Sequence, residues 1–285
     1  MLGVIGGSGL YDLPGIEGSE TIEPTTPYGP PSGPITRGAI AGNSLCFLPR
    51  HGPGHRLGPS EVPYRANLHA LKQLGVTHLL SVSAVGSLRE HLAPGAMVLP
   101  DQIVDRTVSR PRTFFENGVV AHVSLADPFC PTFQRDIADA AASAGIDTVT
   151  GGTYICIEGP QFSTRAESSL YRQWGADVIG MTAMPEARLA REAGLCYAIL
   201  ATVTDYDVWH DTEADVSVES VMRILAANVE RGRQTVAALA KSSLSACEHT
   251  CATAPAAAIA THADAIPPAQ QPLIDLLAGR SPGAG

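Results

Sequence analysis

A chain of 285 residues that is 45% hydrophobic and 16% charged has the composition of a core-rich globular protein, with little charge left for disordered arms. Its formal net charge of −9 argues against a nucleic-acid surface, so any anionic ligand must be met by a few local donors rather than by a general positive field. No apolar run reaches the roughly 20 residues of a membrane span, and the first residues lack the basic and long apolar regions of a secretory signal, so a cytoplasmic protein is expected.

In chain order, Leu2 to Ile5 reads as a short strand running into Gly6-Gly7-Ser8-Gly9, where glycines let backbone N–H groups approach an anion. The dinucleotide fingerprint fails because Asp12 stands where its last glycine belongs; the nucleophile elbow fails at Leu10. A tight turn with no ligand is the competing reading. Pro24 to Pro34 is too rich in proline for regular structure and reads as an ordered loop. A strand over Ser44 to Leu48 ends in Arg50 and His51, placing a cation and an imidazole just past a carboxyl end. His51 and His55 do not make a zinc pair, since Gly-Pro-Gly between them prevents the helix that would align the two rings.

Pro63 to Leu74 has helical spacing, and the strand from Thr77 runs into the small-residue turn Ser83-Ala84-Val-Gly86. The irregular stretch 106–131 holds Arg110, Arg112, two adjacent Phe residues and His122, more chemistry than a plain connection needs, and is expected at a subunit contact. Phe133 to Ala144 reads as a helix, Thr148 to Ile157 as β structure, and Thr164-x-x-Glu167 as a capping box opening a helix to about Trp174. Asp177 to Gly180 is a further short strand; Met181 and Thr182 follow it on a turn into a helix with Pro185 at its start.

Cys196 to Trp209 reads as a buried strand ending in Asp205 and Asp207, which as i and i+2 residues of an extended chain would share a side. In a doubly wound α/β sheet ligands sit beyond such carboxyl ends. Two carboxylates, one of them protonated, suit an edge offering a donor and an acceptor, such as a 6-aminopurine with its N7; a solvated Asp-rich turn is the alternative. A long amphipathic helix is expected from Asp215 to about Ser243, with Val218, Val221, Ile224 and Leu225 on one stripe. Residues 1–245 then form one domain, and 246–285, rich in alanine and proline, a mobile tail. Cys46, Cys130, Cys156 and Cys196 read as buried small hydrophobes, and Cys247-x-x-x-Cys251 without a second pair is a weak metal or redox signal, so no metal is expected.

Gly6-Gly-Ser-Gly9, Arg50-His51, Ser83-Ala84, Ile157-Glu-Gly-Pro-Gln-Phe-Ser-Thr-Arg-Ala-Glu167, Gly180-Met-Thr182 and Thr204-Asp-Tyr-Asp207 together resemble the methylthioadenosine phosphorylase branch of the trimeric purine nucleoside phosphorylases. The resemblance runs from residue 2 to about 240. It implies a single α/β domain with a central mixed β-sheet flanked by helices, a homotrimer, and no cofactor, inorganic phosphate being a co-substrate. By similarity Ser8, Arg50, His51, Ser83, Ala84 and Thr182 hold phosphate, while Phe162, Ser163 and Met181 contact purine or ribose. Asp205 and Asp207 read the base and carry the catalytic proton; Val218 and Val221 line a 5′-alkylthio pocket that His122 of a neighbour reaches. The implied reaction is phosphorolysis of 5′-methylthioadenosine. A phosphorylase preferring 6-oxopurines, a nucleoside hydrolase and a non-catalytic nucleotide-binding module remain as alternatives, although relatives reading 6-oxopurines tend to carry asparagine in the turn where this chain has two aspartates.

Overall fold

The structure, a computed structural model, describes residues 1–7, 15–210 and 218–279, and of 218–223 the backbone alone. Ser8 and the side chains of Val218 and Val221 therefore lie outside the described residues. The strands are β1 (Leu2–Gly6), β2 (Glu17–Ile22), β3 (Ile35–Ile40), β4 (Asn43–Pro49), β5 (His78–Ser87), β6 (Met97–Leu99), β7 (Gln102–Arg106), β8 (Val149–Thr150), β9 (Thr153–Ile157), β10 (Val178–Gly180) and β11 (Cys196–Asp205). Between and after them run α1 (Tyr64–Gln73), α2 (Pro131–Ser143), α3 (Arg165–Gln173), α4 (Ala183–Glu192), α5 (Val218–Lys241), α6 (Ala254–Ala258) and α7 (Gln271–Ala278). No helix among the described residues is long and apolar enough to cross a membrane.

The strands form one mixed sheet that branches at β5. One path runs β2-β3-β4-β1-β5-β10-β9-β7, and a second leaves β5 through β11 to β6 and β8. β11 pairs in parallel along nearly all of β5, from Cys196↔His78 to Asp205↔Gly86. On the other edge of β5, parallel β1 stops at Ile5↔Ser81 and antiparallel β10 begins at Ile179↔Gly86. Among the described residues no strand pairs with residues 82–85 on that edge, so the sheet parts there and leaves a crevice at its carboxyl end. Crevices of this kind are where open α/β sheets bind ligands.

Burial on both faces explains why β11 is apolar without alternation. Its odd-numbered Tyr197, Ile199, Ala201 and Val203 enter one core cluster with residues of α1, α4 and α7. Cys196, Ala198 and Leu200 enter the other, against α2 and α5. The period of two is thus present in packing, although it is invisible in hydrophobicity. The helix at Thr164 begins as its sequence predicts: Thr164 Oγ1 accepts from the Glu167 N–H at 3.2 Å and Glu167 Oε2 accepts from the Thr164 N–H at 2.8 Å.

The chain beyond residue 245 differs from the mobile tail expected of it. Ile274 and Leu277 on α7 are each 1% exposed and belong to the same cluster as Tyr197 and Ile199. Upstream, the Ala260 N–H donates to the Val120 carbonyl at 2.8 Å, and the His122 N–H donates to the Ala258 carbonyl at 2.9 Å. The apolar pattern that seats α7 is only five residues long, Leu273 to Leu277, and alanine and proline around it hide it in any compositional reading. Truncation after Ser245 is therefore expected to yield aggregating protein, and Leu277→Ala to cost about 2–5 kcal/mol as a large-to-small core change. Denaturant melts check the point variant; an unchanged midpoint would show that α7 seals nothing.

Candidate active site

The crevice encloses about 500 Å³ and is lined from the carboxyl ends of several strands: Gly7 after β1, Arg50, His51 and His55 after β4, residues 82–86 of β5, Ile157 at the end of β9 with Phe162 and Ser163 beyond it, Gly180 at the end of β10 with Met181 and Thr182 beyond it, and Thr202, Thr204 and Asp205 of β11 with Asp207 just past it. Leu225, Asn228 and Val229 of α5 close one side. Of the residues expected in the site, Arg50, His51, Ser83, Ala84, Thr182, Phe162, Ser163, Met181, Asp205 and Asp207 all meet in this one cavity. His122 does not line it; it lies exposed on the 106–131 segment.

One end of the cavity is polar and cationic. Arg50 is 1% exposed, yet it is not the free bidentate clasp expected from the sequence. Its Nε donates to Glu186 Oε1 at 2.6 Å, Nη2 to Ser81 Oγ at 2.6 Å and Nη1 to the Val82 carbonyl at 3.1 Å. Burial disfavours its charge, but the adjacent Glu186 carboxylate more than offsets this and holds the guanidinium protonated. Arg50 thus supplies a fixed positive charge at the cavity floor with most of its donors already spoken for. Ser83 Oγ and Thr182 Oγ1 lie 3.2 Å apart, and the Thr182 side chain makes no capping bond to α4, so both hydroxyls face the same space. His51 Nδ1 sits 2.8 Å from the Leu57 carbonyl, while burial and then the Arg50 charge push its pKa down to about 4. At neutral pH the ring is uncharged, with Nδ1–H donating to Leu57 and Nε2 left as an acceptor.

Beyond Ser83, where β11 pairs with Gly86 of β5, the cavity carries the two carboxylates. They come together by a bulge and a turn rather than by the strand alternation expected. The pairing of β11 with β5 slips between Val203 and Asp205, which re-aims Asp205. Asp207 lies beyond the strand at φ +53°, a left-handed conformation that aspartate tolerates, and its N–H donates to Asp205 Oδ1 at 2.8 Å. Thr204 Oγ1 donates to Asp205 Oδ2 at 2.7 Å, so both oxygens of Asp205 are engaged. Asp207 is 7% exposed and its Oδ2 is buried without a partner among the described residues. Burial raises both carboxyls; that of Asp207 reaches about 6, with the Asp205 charge adding to the shift. A Cβ at position 86 would lie 3.0 Å from Asp205 Oδ1 and 3.4 Å from Asp207 Cβ, so glycine there is what allows the turn to close over β5.

Three contributors escape a reading of the sequence. Glu186 fixes Arg50 from 136 positions away and lies in a helical first turn, where an acidic residue needs no special explanation. Asn228 is 1% exposed; its Nδ2 donates to the Val203 carbonyl at 2.8 Å and its Oδ1 is unpartnered. A polar residue in register with the apolar stripe of α5 is the signal that marks it. Arg110, 4% exposed, ties loops together by donating through Nη1 to the Met181 and Met184 carbonyls, each at 2.6 Å, and through Nη2 to that of Glu158 at 2.5 Å. Part of the irregular 106–131 segment thus organises the site within its own chain.

A buried guanidinium, a hydroxyl pair and two carboxylates lining one sheet crevice define an enzyme of the nucleoside phosphorylase class. Residues 1–241 match the model of the phosphorylase superfamily, and the chain belongs to that family. It is 49% identical over 280 residues to S-methyl-5′-thioadenosine phosphorylase of Geobacter sulfurreducens, covering 98% of each chain. Against the Chloroflexus aurantiacus protein of the same name it is 52% identical over 285 residues, with 98% and 97% covered. The crystal structure of a methylthioadenosine phosphorylase from an Antarctic soil metagenomic library superposes with a TM-score of 0.90 at 47% identity, covering 97% of this chain and 98% of that one. The Schistosoma mansoni methylthioadenosine phosphorylase in complex with adenine gives 0.79 at 37% identity, over 84% and 90%.

Proposed function

We propose that this chain catalyses phosphorolysis of 5′-methylthioadenosine, giving adenine and 5-methylthioribose 1-phosphate, and that it does so in the cytoplasm. The observation that carries the reading is the meeting, inside one cavity, of Arg50, Ser83 and Thr182 with Asp205 and Asp207. Phosphate held by the hydroxyls above the Arg50 charge, with the neutral His51 Nε2 accepting its remaining proton, is placed to attack C1′ of the sugar. As the C1′–N9 bond breaks, its electron pair passes into the purine ring, and the proton of Asp207 is donated at N7. The new C1′–O bond completes the sugar phosphate, so no covalent enzyme intermediate is needed. Proximity and fixed charge supply the rate. Asp205, which receives two hydrogen bonds, stays an acceptor for the 6-amino group. Leu225 and Val229 make the α5 side apolar, which suits a methylthio group better than a hydroxyl. From the resemblance of the sequence alone, Ser8 is assigned to phosphate and Val218 and Val221 to the thioether.

The test is adenine release with and without inorganic phosphate. Turnover is expected only with phosphate, in equimolar yield with the sugar phosphate, and with methylthioadenosine ahead of inosine. Release of free 5-methylthioribose in phosphate-free buffer would replace phosphorolysis by hydrolysis. We further infer a homotrimer in which the 106–131 segment meets a neighbour and His122 completes its 5′ pocket. Val108 and Val120 on that segment are 79% and 50% exposed, which is costly for side chains that stay in water. A fully active monomer in analytical ultracentrifugation would overturn this assembly.

A further inference from the structure

Far from the crevice, the fold gathers four thiols that the sequence scatters. Cys130 precedes the first turn of α2, Cys196 opens β11, and Cys247 and Cys251 lie in the turn after α5. Their sulfurs all lie within 4.8 Å of one another, and none is in a disulfide. A zinc ion bound to four thiolates at about 2.3 Å sets its sulfurs about 3.8 Å apart, the edge of the tetrahedron. Cys130 Sγ and Cys247 Sγ are 3.8 Å apart. A shift of less than about 1 Å would bring any other pair to that edge.

The surroundings are those of a negative cluster. Arg191, 7% exposed, directs Nη1 at Cys251 Sγ at 3.3 Å, and no carboxylate among the described residues lies within ion-pair distance of it. A buried guanidinium without a carboxylate needs another anion, and thiolates are what it faces. Its other terminal nitrogen donates to the Asp127 carbonyl, which aims the group. Cys130, at the N-terminus of α2, adds the favourable end of a helix dipole. Cys130, Cys196 and Cys251 are buried, whereas Cys247 is partly exposed and leaves an entry path. The spacing of Cys247 and Cys251 is within the range of paired zinc ligands, and the second pair that the sequence lacked comes from Cys130 and Cys196.

We propose that Cys130, Cys196, Cys247 and Cys251 form a structural tetrathiolate zinc site that clips the carboxyl-terminal chain to the starts of α2 and β11. Binding displaces the thiol protons, including the one Cys247 donates to the His249 carbonyl at 3.2 Å. Cys196 and Asp205 stand at the two ends of β11, nine residue steps and roughly 30 Å apart, so the ion takes no part in nucleoside chemistry. The site is independent of the reaction assigned to the crevice.

Protein purified without chelator is expected to carry one zinc per chain by elemental analysis. After zinc removal under reducing conditions it should bind Co²⁺ with the visible d–d bands and near-ultraviolet charge transfer of a tetrahedral tetrathiolate. Cys46→Ser, a thiol outside the cluster, should keep both properties; Cys247→Ser and Cys251→Ser should lose them. Zinc removal should speed hydrogen exchange over 247–279 more than over residues 199–205 of β11. Should the serine variants not fold, the cobalt spectrum of the wild-type chain decides alone. The proposal is overturned by reduced wild-type protein that binds neither ion, by freshly isolated protein whose four cysteines are paired as disulfides, or by zinc retained when Cys247 and Cys251 are both replaced.

Discussion

Asp207→Asn is expected to lower turnover of methylthioadenosine by about 10²–10⁴-fold, the usual contribution of a general acid, while leaving the protein at least as stable as before above pH 6. The two effects have one cause. Burial raises the Asp207 carboxyl to about 6, so the folded chain holds this proton more tightly than the unfolded chain does. Its contribution to stability is greatest below the ordinary pKa near 4 and is lost as pH rises through about 6, where a carboxylate must be kept in the cavity wall. Asparagine keeps the shape and removes that charge, relieving on the order of 1–3 kcal/mol at neutral pH. Paired kinetic and thermal-melting profiles from pH 4 to pH 8 check both halves. With Asp205 also changed to asparagine, two amide donors would face the base, and preference should move toward 6-oxopurine nucleosides. Near wild-type cleavage of methylthioadenosine by the double variant would remove the carboxylates from base recognition.

The second large effect is expected at the cavity floor. Arg50→Ala strands Glu186 as an unpaired carboxylate that is 0% exposed and should cost about 3–5 kcal/mol in stability, on top of lost phosphate affinity. Adding Glu186→Ala should restore part of the stability but none of the phosphate use. A double-mutant cycle by denaturant melting, with phosphate KM measured on each folded variant, separates the roles. Strict additivity of the two stability losses would mean that the pair is not coupled.

How far the sequence could be read depended on the range of the interaction. β11, the capping box at Thr164 and the Arg50-His51 segment after β4 were legible because strand burial, local hydrogen bonding and turn chemistry act between near neighbours. Asp205 and Asp207 line one cavity, but not by the route the sequence suggests, since alternation along a strand does not foresee a bulge followed by a left-handed residue. Glu186 and Asn228 escape the sequence, and Arg110 stands out there only as part of an expected subunit contact, because their partners are distant in sequence. The seating of α7 escapes it too: a single short apolar pattern has meaning only once the groove between other elements exists. The four thiols make the same point, because Cys130 and Cys196 acquire neighbours only when α2 and β11 are laid side by side.

α7 follows every strand of the sheet in sequence, and that order has a consequence for biosynthesis. Every strand around the crevice is made before it, so the catalytic residues can be in place while the last helix is still inside the ribosomal exit tunnel. The cluster around Tyr197 and Ile199 stays uncapped until α7 has emerged. A nascent chain stalled short of Gln271 would therefore carry an assembled pocket and an open apolar seam, which makes the emergence of α7 the step that separates a soluble product from a sticky one.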